Sequence, residues 1–141
     1  MTTTLSIRRA AVALGLAGIA TVHVLDLPGK WNETRYLGFA YIGVIVASLL
    51  LMEKVITRGS RNDLIASVIL AASVIGGFVI NRTVGMPGAM DDIGNWLEPL
   101  GLVSLLCEGL VVWQALSAAR DLAVSTVATT TRRQSDLIGA R

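Results

Sequence analysis

The stretch Asn81-Arg82-Thr83-Val84-Gly85-Met86-Pro87-Gly88-Ala89-Met90-Asp91-Asp92-Ile93-Gly94-Asn95-Trp96-Leu97-Glu98-Pro99-Leu100-Gly101 lies between two long apolar runs, and its reading decides the fold. It holds three acids, an arginine, two prolines and a tryptophan. Hydrocarbon cannot solvate such residues, so between two membrane-length segments they must sit in water or in a protein-lined pocket. Outward from this stretch, the chain supplies apolar runs at 10–25, 37–52, 64–80 and 97–117. Each is close to the ~20 residues a helix needs to cross ~30 Å of hydrocarbon. The shorter runs can recruit flanking residues or use a thinner bilayer.

Composition agrees. The chain of 141 residues is limited to one domain, is 53% hydrophobic and only 16% charged, and contains 14 glycines. Its mean hydropathy is +0.65. A soluble domain carries about 25% charge, and glycine is frequent where transmembrane helices approach backbone to backbone. A net charge of +2 without a basic, aromatic-interleaved cluster excludes nucleic acid as a partner class. Cys107 is the single cysteine, so no disulfide or CxxC site forms within one chain.

The expected fold is all-α: a polytopic membrane protein of four transmembrane helices. Residues 1–9 form an N-terminal segment, 26–36 and 81–96 two loops on one side, and 118–141 a Thr/Ser-rich tail that frays into disorder. The first run also has features of a signal peptide, but its continuation past Ala20 to near-spanning length favours retention. Nine of the twelve basic residues (Arg8, Arg9, Lys54, Arg58, Arg61, Arg120, Arg132, Arg133 and Arg141) fall on one side. The positive-inside rule then places both termini in the cytoplasm and the protein in the plasma membrane.

The two loops resemble each other. Pro28-Gly29 precedes Trp31-x-Glu33 and Leu37-Gly38, and Pro87-Gly88 precedes Trp96-x-Glu98 and Leu100-Gly101. Pro-Gly predicts a turn in each, and the shared order suggests two parallel-related helical hairpins.

Candidate functional residues are His23, Asp26, Glu33, Asn81, Arg82, Asp91, Asp92, Glu98 and Glu108. Glu108 falls near the middle of the fourth run, where an unpaired charge costs several kcal/mol. It is either a proton- or cation-handling group facing the bundle interior or a neutral acid bonded to Ser48 or Ser73. His23 could ligate a metal or haem iron with Asp26 and Glu33, or simply hydrogen-bond to Glu33 or Glu98. Asn95-x-x-Glu98 has the order of a helix capping box, while Glu98 could equally pair with Arg82. Small-xxx-small pairs such as Ala11/Gly15 and Gly43/Ala47 predict close helix packing.

The turn Asn81-Arg82-Thr83-Val84-Gly85-Met86-Pro87, with His23 and Glu33 upstream and Glu98 and Glu108 downstream, resembles a family of small four-helix membrane proteins common in actinobacteria. A more distant similarity is to DoxX-like four-helix proteins. The resemblance implies architecture and brings no activity with it. Three function classes follow. The first is an accessory subunit that docks a protein partner, or another copy of itself, through a polar cap. The second is a redox-linked membrane protein holding metal or haem at His23, and the third an oligomeric proton or cation pathway through Glu108. No nucleophile–base pair points to an enzyme, and no cofactor is required by the residues themselves.

Overall fold

A computed structural model describes residues 2–139, excluding the side chains of residues 2, 129–131, 133 and 136–139. Four helices make up the regular structure: α1 (Thr2–Glu33), α2 (Arg35–Thr57), α3 (Arg61–Thr83) and α4 (Pro99–Gly139). All four are long and apolar enough to span a membrane. Large apolar side chains such as Leu14, Phe39, Ile69, Leu106 and Trp113 point outward and exposed. An apolar surface this extensive suits lipid rather than water.

A 3–4 spacing runs along the inner face of each helix. In α1 it reads Val12, Leu16, Ile19 and His23; in α4 it reads Ser104, Glu108, Val111, Ala115 and Ala118. That spacing keeps one stripe facing the neighbouring helices. Helices α1 and α2 pair closely, α1 also packs on α4, and α4 on α3, whereas α2 and α3 pack more loosely than these pairs. Glycine sets the α1–α4 distance. A Cβ on Gly15 would lie 2.6 Å from Val111 Cγ2, and one on Gly18 would lie 2.5 Å from Cys107 Sγ. Gly43 of α2 and Gly76 and Gly77 of α3 meet nothing within 4 Å, so these glycines make no close helix contact within this chain.

The two ends of the bundle are tied differently. At one end, the Arg9 guanidinium donates to the carbonyls of Val55 (2.7 Å from Nη2) and Ile56 (3.0 Å), satisfying the last turn of α2. Arg8 pairs with Asp121 at 3.1 Å. Ser60 caps α3 through a reciprocal box with Asp63: Ser60 Oγ accepts from the Asp63 amide, and the Asp63 carboxylate accepts from the Ser60 amide. At the other end, α3 stops at Gly85, whose φ of +81° is the left-handed conformation a helix terminus favours. Pro87-Gly88 then forms a tight turn closed by Ala89 N–H to Met86 O at 2.8 Å, with Gly88 at φ +78°. Proline followed by a positive-φ glycine is the type II pattern. Tyr36 donates to Pro87 O at 2.9 Å and seats this turn on the start of α2.

Several expectations need correction. The segment 26–36 is not a loop: α1 continues through Pro28 to Glu33, and Thr34 alone separates α1 from α2. The proline removes one backbone donor, but the extended helix is anchored beyond it, with Lys30 bonded to Asp92 and Trp31 lying on Gly38. The two Pro-Gly pairs therefore differ, one helical and one a turn, and do not mark equivalent hairpins. The tail expected to fray from residue 118 is helical as far as Gly139, with residues 140 and 141 outside the described region. Ala118 and Ala119 are buried in the core, and Asp121 is held by Arg8, so the helix has packing beyond its apolar run. Finally, Asn95 does not cap α4. The helix begins at Pro99, and Asn95 sits exposed in the connection before it.

Candidate functional site

The tightly packed core occupies the half of the bundle near Val12, Val55, Leu64 and Ala115. The other half is hollow. A cavity of about 270 Å³ lies among the four helices, with apolar walls from residues such as Val22, Val44, Leu70, Val74 and Leu100. Ala40 on α2 and Ser73 on α3 also line it and are exposed, so the cavity reaches the molecular surface along the loosely packed α2–α3 seam. One end is bounded by His23, Asp26, Lys30, Asn81, Arg82 and Glu98, the other by Ser104 and Glu108. Glu108 is nine residues beyond Pro99, or roughly 14 Å deeper along α4.

Asp92 organises the polar end. Its carboxylate accepts from Lys30 at 2.6 Å, from Asn81 Nδ2 at 2.8 Å and from Arg82 at 2.5 Å. Burial pushes the Asp92 carboxyl up, but the hydrogen bonds from Lys30, Asn81 and Arg82 outweigh burial and hold it at about 2. Arg82, only 4% exposed, also pairs with Glu98 at 2.6 Å and stacks over the Phe78 ring at 5.1 Å. Lys30 reaches Glu33 as well, at 2.7 Å. The end of α1 is thus clamped to two segments far from it in sequence, the end of α3 and the loop before α4. The Arg82–Glu98 pair anticipated from the sequence is present. Asp91, by contrast, is exposed and outside the network.

Below this clamp, His23 Nδ1 donates to the Ile19 carbonyl at 2.9 Å, since a carbonyl can only accept. Its ring packs on Tyr41 with centroids 4.8 Å apart. The Tyr41 hydroxyl donates to Asp26 at 2.9 Å. His23 therefore bonds to neither Glu33 nor Glu98. Nor does the proposed metal set assemble: Glu33 is committed to Lys30, and among the described residues no group of three or more His, Cys, Asp or Glu is placed to hold a metal ion.

Glu108 lies on the buried stripe of α4 and is 1% exposed. Its Oε1 accepts from Ser104 Oγ, one turn earlier, at 2.6 Å. Ser48 and Ser73 are not its partners; Ser73 bonds back to Ile69 O in its own helix. The second oxygen, Oε2, is buried without a hydrogen-bond partner among the described residues.

Lys30, Tyr41 and Ser104 were not singled out from the sequence. A signal existed for two of them. Tyr41 stands four residues after Leu37 and three before Val44, and Ser104 four before Glu108, each in register with its helix's inner stripe. Lys30 carries no such signal, because its role depends on α1 extending past Pro28. Searches of protein-family models, curated proteins and solved structures return no match to this chain.

Proposed function

We propose that the chain is an integral membrane protein whose bundle binds a small amphipathic molecule in the cavity between its helices. The observation that carries this reading is the cavity itself, apolar along its walls and polar at both ends. Concave, mostly apolar sites with a few convergent polar groups are the usual form of small-molecule sites. The surface opening between α2 and α3 offers a path for a molecule dissolved in the bilayer. In this reading the Asp92–Arg82–Lys30 clamp closes the extracytoplasmic end, and both termini are cytoplasmic, as the basic residues favour.

The sequence suggested a docking cap as the first choice. Because the cap's charges are mostly bonded to one another, they offer little to a partner. Exposed Val84, Met90, Ile93 and Leu97 in the same loop keep an accessory-subunit role as the second reading, with apolar rather than ionic docking.

The test uses Gly77, which lines the cavity and has nothing within 4 Å of a built Cβ. Gly77→Phe should fill the space without disturbing helix packing. Protein purified in native lipid and analysed by mass spectrometry should release a bound small molecule that Gly77→Phe lacks. Equal recovery of every small molecule from both proteins would refute the reading, and a stoichiometric protein partner in its place would favour the second.

A further inference from the structure

The deep end of the cavity has an unbalanced acid. Glu108 is 1% exposed, lines the cavity, and presents an Oε2 that no described residue bonds. A buried carboxyl in this state needs either a proton or an external positive partner. The chain's own cations in the site cannot supply one. Lys30 is held by Asp92 and Glu33, and Arg82 by Asp92 and Glu98, all at the opposite end. Of the three acids in the lining (Asp26, Glu98 and Glu108), Glu108 stands apart from both bases, which are bonded to acids at the opposite end. Tyr41 and Phe78 add aromatic side chains to the lining, with the Arg82 guanidinium already over the Phe78 ring.

We infer that the site takes a small organic cation, a protonated or quaternary amine on an apolar body, whose charge sits against Glu108 Oε2. This rests on the cavity reading above and specifies its ligand class. The cation and a proton compete for the same oxygen, so binding of one releases the other. No bond is made or broken apart from transfer of that proton to solvent. Ser104 holds Oε1 in place and leaves Oε2 without a partner among the described residues.

Other titratable groups face the cavity: His23, Asp26 and Lys30 from α1, Tyr41 from α2, Arg82 from α3, and Glu98 before α4. Cys107, next to Glu108, lies against Gly18 of α1 instead. All of these are kept in Glu108→Gln, so a pH effect lost in that variant belongs to Glu108.

The probes are benzyltrimethylammonium, which cannot lose a proton, and its neutral isostere neopentylbenzene. Binding is measured by calorimetry in lipid nanodiscs, with Gly77→Phe subtracted to remove partitioning into lipid. The cation should bind at least tenfold more tightly than the neutral isostere and strengthen as pH rises. Glu108→Gln should weaken the cation at least tenfold, abolish its pH dependence and leave the neutral probe unchanged, which also shows that the variant is folded. If both probes bind alike and Glu108→Gln changes neither, the cation assignment is overturned while the cavity reading stands. If neither probe binds above Gly77→Phe, both fall.

Discussion

Asp92 is the residue whose loss should do most to open the polar end of the bundle. Its carboxyl is held at about 2 against an ordinary 3.8. At 1.36 kcal/mol per unit, that depression corresponds to about 2.5 kcal/mol of folded-state stabilisation. The carboxylate is partly open to water, and screening reduces the figure to about 1–2 kcal/mol. Asp92→Asn removes the charge but keeps an acceptor, so it should cost about 1–2 kcal/mol at neutral pH. Asp92→Ala also removes an acceptor from the Asn81 amide and from the nearly buried Arg82 guanidinium, which keeps Glu98, raising the cost to about 2–4 kcal/mol. The pH window follows from the direction of the shift. A depressed carboxyl contributes fully above its unfolded value of 3.8 and loses that contribution as pH falls through about 2. The difference between the native chain and Asp92→Asn should therefore vanish across that interval. Unfolding in detergent micelles, followed by far-ultraviolet circular dichroism over a pH series, measures it. A double-mutant cycle with Lys30→Met isolates the 2.6 Å pair. An Asp92→Asn protein as stable as the native one at neutral pH, or a deficit that persists unchanged in acid, would refute the assignment of Asp92 as the clamp.

Further outcomes follow from other positions. Glu108→Leu replaces a half-satisfied buried carboxyl with an apolar group of similar size and should stabilise the ligand-free bundle by about 1 kcal/mol; a loss of stability in the same unfolding assay would show that the carboxyl is structural. Gly15→Leu must displace Val111 Cγ2 and the Cys107 carbonyl and should destabilise by about 1–3 kcal/mol or more. Gly43→Leu, with open space around it, should be close to neutral, and equal effects at the two sites would contradict the α1–α4 packing. Ser60→Ala should cost about 1 kcal/mol by removing the α3 cap, and Ser60→Thr should restore most of it.

Charge and hydropathy alone determined that this chain is four apolar helices with a polar connection before the fourth. An apolar run of spanning length has few alternatives once backbone groups must be satisfied internally. The Arg82–Glu98 pair was also legible, because both residues must leave hydrocarbon at the same end of adjacent helices. The limits of α1 and α4 were not legible. Pro28-Gly29 and Pro87-Gly88 are the same dipeptide, yet one is helical and the other a turn. The difference lies in what surrounds them: Lys30 and Trp31 find partners only if α1 continues, whereas Gly88 and Tyr36 pack only if the chain reverses. Likewise Asp121, a polar residue in an apparent tail, becomes a helix residue once Arg8 stands beside it. The inner faces were only partly legible, since helices apolar almost all round give little contrast between lipid and core. Sequence therefore determined which residues must avoid hydrocarbon. Only the tertiary structure decided which of them satisfy one another, and that one Glu108 oxygen has no partner among the described residues, because pairing depends on which helix ends meet.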